Sequence, residues 1–445
     1  MLVLALYVVG IEKVSFEQLQ DGGWKSMKGC VVEITTPLVV CGTFHDSIYL
    51  APERLYVPEE RAKGLSEGDS TEYYKWVEYN DRLRIRMECP KPYDLNLGAT
   101  IKGLRAMITG ERSLLTGRQP NFKNYKPQTA LPNLGGADIV ICSTNIQNYF
   151  VHQGGYATKR QTDGQHALQC LKVASALVKM NADLYAICEI EKGESAPKEL
   201  AGKMNELSGK EKFDFVRISK VDGDTISVGF IYNKTKLRPY GELCFAYPKK
   251  VNIYSCRFVL QGFEAIESGE RFVVSLNHLR SKRGSQEESL DKRMANVEAL
   301  TDCIQEAYND SIYTDPDIIV LGDFNSYTQE KPIQTMIELG YKDMLFINDS
   351  LNYSYSYKGE CGYLDRVFSS PTMSAQITAV YPIHWNTDYY YSAAYYSKYN
   401  FKNRIIPKEK PQNIKKYMSK AAKKNLLFRY SDHDPILIGL KLGNK

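Results

Sequence analysis

The stretch that decides the fold is Asp317–Ser326, DIIVLGDFNS. Ile318, Ile319, Val320 and Leu321 form a short, mostly β-branched apolar run, which reads as a strand buried on both faces. A glycine follows at once, then Asp323 and Asn325. Charged and amide groups at the end of a buried strand lie where loops leave a rigid scaffold, and catalytic groups collect there. GDFN alone is equally an Asx turn, so the decision rests on whether the pattern recurs.

It recurs on both sides. Ala137–Ser143 (ADIVICS) is a strand with Asn145 and Gln147 just beyond it, and Asp183–Ile190 (DLYAICEI) carries Glu189 near its end. Arg271–Asn277 (RFVVSLN) runs into Asn277 and His278, GYLDRVFSS carries Asp365, and YSDHDPILIGL carries Asp432 and His433. Thr225–Tyr232 (TISVGFIY) is a further strand. Helices are expected over His166–Met180, with Leu171, Ala174 and Val178 along one face, and over Glu288–Ala307, with Leu290, Met294, Val297 and Ile304 inward. Strands alternating with helices, with hairpin-like runs between, imply a mixed α/β layered domain over 137–445.

The region before it differs. Gly29–Cys41, Ser47–Val57, Arg82–Cys89 and Ala99–Thr109 are β-like stretches separated by turns, which suits a small all-β, OB-like closed barrel over 21–118. Gln119–Gly136 (QPNFKNYKPQTALPNLGG) reads as a linker. Met1–Gly10 (MLVLALYVVG) is apolar but too short to span a bilayer. Residues 1–20 are expected either to be a truncated signal segment, which would send the chain to the periplasm or outside the cell, or to begin the first strand in a cytoplasmic protein.

Composition constrains less. Hydrophobic residues make up 43% and charged residues 24%, ordinary globular values, and the formal charge of +5 permits a polyanionic partner without requiring one. The ten cysteines contain no C-x-x-C pair, which argues against a zinc ribbon or a thioredoxin-type site, and Cys142 and Cys188 lie in apolar runs as small buried hydrophobes.

Each polar strand end has an ordinary structural explanation by itself; six together point to chemistry. The set suits phosphoester hydrolysis, where the substrate is an anion and water must be activated. Carboxylates and amides are hard ligands, appropriate to Mg²⁺ or Mn²⁺, with Ca²⁺ as a substitute. An imidazole takes the proton from water and a neighbouring carboxylate fixes its tautomer, a dyad that His433 and Asp365 fit. His278 is the second imidazole.

On these residues the sequence resembles the endonuclease/exonuclease/phosphatase superfamily, which includes deoxyribonuclease I. TNIQNYF, ICEIE, SLNHLRSK, VLGDFNS, YLDRVFSS and YSDHDPI occur in that family's order. NHLRSK, YLDRVF and IHWNTD resemble most closely the bacterial exported nucleases with an OB-like module ahead of this domain. The resemblance implies a two-layered β-sandwich flanked by helices, deoxyribonuclease I-like, and a monomeric metal-dependent nuclease acting on DNA ahead of RNA. It implies metal binding by Asn145, Glu189 and Asp432, catalysis by His433, Asp365, His278, Asp323 and Asn325, and substrate contact by Gln147, Asn277, Arg280 and Lys282. Cys188 stands where many relatives have glutamine, a difference expected to affect packing only. Alternatives on the same residues are a sphingomyelin or inositol-phosphate phosphodiesterase and a non-enzymatic binding protein.

Between IHWNTD and SDHDP lie Tyr389, Tyr390, Tyr391, Tyr395, Tyr396 and Tyr399, and from Lys398 to Arg429 the one acidic residue is Glu409. Basic groups interleaved with aromatics suit a single-stranded nucleic acid surface, with Tyr395 and Lys402 as contacts. The competing expectation is a tyrosine-rich loop packed on the core, beside a solvated basic helix over Gln412–Lys424.

Overall fold

The computed structural model describes residues 11–443 apart from 45–46, 90–94, 126–127, 153–161, 219–225, 246–257, 346–351, 391–392, 405 and 407–412. Two six-stranded sheets pack face to face. One runs Phe213–Phe215, Ile226–Asn233, Leu184–Glu191, Ile139–Tyr149, Ile436–Leu440, Ile377–Pro382. The other runs Leu237–Cys244, Phe258–Ala265, Arg271–His278, Ile318–Asp323, Asp365–Ser369, Lys342–Asp343. Phe230, Phe263, Phe272, Leu276, Leu321, Val367 and Ile438 fill the space between them. The helices Asp163–Met180 and Ser195–Ser208 cover the outer face of the first sheet, and Gln286–Asn309 and Lys331–Glu338 that of the second. With both faces covered, a strand such as Ile318–Asp323 is buried at every position, which is why it reads as an unbroken apolar run.

Strand direction gathers the polar ends. Ile139–Tyr149 runs parallel to Leu184–Glu191, and Arg271–His278 parallel to Ile318–Asp323, so these strands exit together. Asp365–Ser369 and Ile436–Leu440 are antiparallel to their neighbours and enter where the others leave. The starts and ends of six strands therefore share one rim.

The N-terminal region closes into a ring. Val31–Ile34 and Leu38–Phe44 form a bent strand whose antiparallel partner is Thr100–Ile101 with Leu104–Gly110, in the register Val31↔Met107 and Leu38↔Ile101. Leu38–Phe44 then pairs with Ser47–Ala51, that strand with Ile85–Glu88, that one in parallel with Ser113–Leu115, and the last with Leu104–Gly110. Alternate residues point inward, Ile85 and Met87 against exposed Arg86 and Glu88.

Three expectations need correction here. The module is not all-β: Thr71–Leu83 is a helix, and of its residues only Asn80 and Leu83 are buried. Residues 12–20 are not leader, because Glu12–Val14 pairs in parallel with Val32–Ile34, and Val14, Phe16 and Leu19 lie in the barrel core. Met1–Gly10 lies outside the described residues. The 119–136 stretch is no free tether, since Phe122 joins the barrel core and Lys123 bridges Thr100, while Leu134 O accepts from Thr378 Oγ1 at 2.6 Å and Gln128 O from Trp385 Nε1 at 2.8 Å.

Buried polar contacts join the two units. Leu55–Tyr56 pairs in parallel with Glu360–Cys361, adding a third strand to the Tyr355–Gly362 hairpin. Arg366, fully buried, reaches Asp343 Oδ2 at 2.9 Å and Glu60 Oε1 at 3.6 Å. Arg54 meets Asp388 at 2.8 Å. Among the described residues no helix is long and apolar enough to cross a membrane.

Candidate active site

The rim where six strands meet carries Asn145, Glu189, His278, Asp323, Asp365 and His433. Two backbone features aim the carboxylates. At Glu189 the ladder skips a residue between Cys188 and Ile190, and Glu189 itself has φ +61°, a bulge that re-aims its side chain. Before Asp323, Gly322 has φ +122°, and a Cβ there would lie 2.0 Å from Asn277 O. Only glycine lets the two parallel strands come so close.

The side chains then interlock. Asn145 Nδ2 donates to Glu189 Oε1 and to Asp323 Oδ2, both at 3.1 Å, so one amide clamps carboxylates from opposite sheets. Its Oδ1 accepts from the Gln147 amide at 2.9 Å. His278 Nε2 lies 3.8 Å from Glu189 Oε1 and 3.6 Å from Asp323 Oδ2. On the other side of Asp323, His433 Nε2 is 3.9 Å from Oδ2, and its Nδ1 is 2.8 Å from Asp365 Oδ2. Asn325 N–H donates to Asp323 Oδ1 at 2.9 Å, while its own Nδ2 is spent on Leu279 O at 3.1 Å.

Electrostatics follow from burial. Withdrawal from water, with Asp365 and Glu189 nearby, pushes the Asp323 carboxyl up to about 7 against the pull of His433. Burial opposes charge on His433, but Asp365 and Asp323 outweigh it and hold the imidazole well above its ordinary range.

Glu189, His278 and Asp323 offer ligand atoms within 4.8 Å of one another, as do Asp323, Asp365 and His433. Two carboxylates drawn to one amide hydrogen donor are held as they would be around a shared positive charge, and carboxylate oxygen is the donor a hard divalent cation takes. The residues fit such an ion. Asn145 Oδ1 already accepts from Gln147 N, and its Nδ2 links the two carboxylates. Asp432 lines the same cleft but stands outside both groups.

The cleft holds about 990 Å³ and reaches well beyond the carboxylates. Arg280 and Lys282 line it, with Lys282 Nζ 2.5 Å from Glu330 and above the Tyr327 ring. The other expected substrate contacts lie elsewhere. Asn277 is fully buried, its amide donating to Ser275 O and Leu321 O within the sheet. Gln147 contributes its backbone O to Gln169 Nε2 and Tyr395 OH. Tyr395 is 7% exposed and packs with Leu168, Phe401 and Met418, so this tyrosine props the Asn145 strand end from behind. Lys402 is exposed on a short turn and does not line the cleft. Tyr389 stacks on Phe428 at 4.7 Å and likewise faces inward. The basic stretch is broken into Ile414–Lys416 and Lys420–Lys424, with Ile414, Met418 and Ala422 buried; Tyr391 and Gln412 fall outside the described residues. Apolar residues every fourth position carried the signal for packing there, and the tyrosine count obscured it.

The structure adds residues that the strand-end pattern could not find. Asn148 N–H donates to Glu189 Oε2 at 2.9 Å. The Tyr355 ring lies 4.6 Å from that of His433. Glu59, Tyr73 and Arg84 reach the cleft from the N-terminal module.

A family model described as the Endonuclease/Exonuclease/phosphatase family matches residues 147–442. The chain belongs to this family. No curated protein sequence matches it. Among solved structures similar to this endonuclease/exonuclease/phosphatase chain is the human Nocturnin catalytic domain with bound sulfate anion, at 13% identity over 71% of this chain and 98% of that one, TM-score 0.43. A second is the endonuclease/exonuclease/phosphatase from Bacteroides vulgatus, at 14% identity over 68% and 98%, TM-score 0.42. A third is the mannosyl-6-phosphatase Bt3783 of Bacteroides thetaiotaomicron, at 14% identity over 68% and 100%, TM-score 0.41.

Proposed function

We propose that this protein is a divalent-metal-dependent phosphodiesterase that hydrolyses nucleic acid phosphodiester bonds, DNA ahead of RNA. One observation carries the reading: Asp323, clamped together with Glu189 by one amide, lies between two imidazoles at the floor of a cleft lined by Arg280, Arg283 and Lys358. Basic side chains along the approach suit a polyanion. Glu189 and Asp323 would hold Mg²⁺ or Mn²⁺, which supplies charge stabilisation to the phosphate and the leaving oxygen. Asp365 accepts from His433 Nδ1–H and so fixes the tautomer. That leaves Nε2, on the side of Asp323, to take the proton from the attacking water. His278 faces the same carboxylates and is suited to donate to a phosphate oxygen. Asp432, at the cleft wall, would shape the cation's outer surroundings.

The test is incubation of supercoiled plasmid, linear duplex, single-stranded DNA and RNA with the protein and Mg²⁺, with a choline phospholipid as comparison. Nicking or cutting of nucleic acid is expected, abolished by EDTA. His433→Ala and Asp323→Ala are each expected to remove turnover while leaving circular dichroism unchanged. Hydrolysis of the phospholipid with every nucleic acid left intact overturns the proposal, and near-wild-type rates in either variant overturn the role given to that residue.

A further inference from the structure

We infer that the helix Thr71–Leu83 of the N-terminal module is the far wall of the catalytic cleft, where Tyr73 and Val77 form a subsite for a nucleobase flanking the scissile phosphate. The inference rests on the nucleic acid reading above and extends it to the bases beside the scissile phosphate.

Tyr73, Val77 and Asp81 are spaced i, i+4, i+8 and so share one stripe of the helix. All three line the same cleft as Glu189, Asp323 and His433, with Arg84 at the helix end. Asn80, two turns after Tyr73, and Leu83 flank this stripe on one side and are buried. The helix is fixed in that pose. Asn80 Nδ2 donates to Tyr56 O at 2.7 Å and to Glu360 Oε1 at 2.9 Å, and Arg84 pairs with Glu360. Arg61 lies over the Trp76 ring at 4.6 Å and the Tyr56 ring at 5.1 Å. Through Leu55–Tyr56 the module also extends the hairpin that carries Tyr355 against His433. The wall and the catalytic imidazole therefore belong to one continuous packed unit.

The charge pattern selects the occupant. Near the rim the cleft offers cations, but toward the helix the charges are already matched, Arg84 with Glu360 and Lys282 with Glu59 and Glu330. What remains is a half-buried tyrosine, a valine, and Tyr327, Tyr355 and Tyr357 from the catalytic domain. Such a surface suits a flat, uncharged group better than a second phosphate, and stacking on aromatic rings tolerates any base. The cleft volume of about 990 Å³ falls at the upper end of that for small-molecule pockets, which favours a short flexible strand over the side of a duplex.

The experiment compares kcat/KM on oligothymidylate and on an oligomer of equal length built from base-less tetrahydrofuran nucleotides, using the full chain with Mg²⁺. The wild type is expected to prefer the base-bearing oligomer. Tyr73→Ala is expected to shrink that preference by roughly tenfold, mainly through KM, because one stacked base is lost, and Tyr73→Phe to retain it. An equal loss on both oligomers, or no loss on either, overturns the subsite while leaving the nuclease reading standing. If the wild type cuts neither oligomer yet hydrolyses bis(p-nitrophenyl) phosphate, the nucleic acid reading falls, and the base subsite falls with it.

Discussion

His433 shows how a residue's role depends on what faces each of its atoms. Its Nδ1 is 2.8 Å from Asp365 and its Nε2 is 3.9 Å from Asp323, so one nitrogen is anchored and the other lies toward the carboxylates of the cleft. Asp365→Asn keeps the side-chain shape but replaces one carboxylate oxygen with an NH₂ donor and removes the charge that fixes the tautomer. It is expected to lower kcat by roughly 10²–10⁴-fold, measured as diester hydrolysis at saturating substrate, and a loss below tenfold would remove Asp365 from this role. His384 makes a separate prediction. Its Nδ1 meets Asp434 at 2.8 Å and its Nε2 meets Asn352 Oδ1 at 3.0 Å, so both ring nitrogens face acceptors. Burial opposes the charge, but the bond to Asp434 outweighs it and raises the pKa. A raised folded-state pKa stabilises the fold fully below the unfolded value of about 6.5, and the gain is lost as pH rises through the folded value. The stability gap between wild type and His384→Gln is therefore expected to be widest below about pH 6.5 and to narrow above it. A gap independent of pH in denaturant titrations would contradict this.

At the scale of elements, the active site depends on strands whose ends coincide, and Gly322 is where that coincidence is tightest. A side chain there would sit 2.0 Å from Asn277 O on backbone with φ +122°. The conformation alone costs about 1–3 kcal/mol in a non-glycine residue, before the clash is added. Gly322→Ala is expected to lower stability by at least about 3 kcal/mol, seen as a fall in thermal midpoint; wild-type stability would mean the two strands can part without cost. The strands around this point were legible because burial on both faces leaves an apolar run, as in IIVL. The helix Thr71–Leu83 was not legible, because it buries few residues and is held by Asn80 and Arg84 reaching Glu360. Tyr395 misled for the opposite reason: an aromatic counted toward a binding surface is 7% exposed and supports the Gln147 backbone from inside.

For the molecule as a whole, the decisive feature is that the barrel and the sandwich share buried ionic contacts. Arg366 is fully buried and bonds Asp343 on its own side and Glu60 from the barrel. Arg366→Met would leave both carboxylates without their partner in a dry interface, a loss of roughly 3–5 kcal/mol. Urea unfolding is expected to show that loss as a lower midpoint; an unchanged midpoint would mean that the contact between the two units contributes no stability.

The sequence by itself determined a mixed α/β layered domain and put Asn145, Glu189, His278, Asp323, Asp365 and His433 at strand ends, because buried strands and the polar groups at their ends follow from local pattern; the two-layered sandwich was what the family resemblance implied. Tertiary structure alone decided which polar ends touch, that Asn277 and Tyr395 face inward, and that a helix some two hundred and fifty residues before Asp323 walls the same cleft. Those outcomes depend on how distant segments pack, and no local periodicity encodes the neighbour that a side chain will meet.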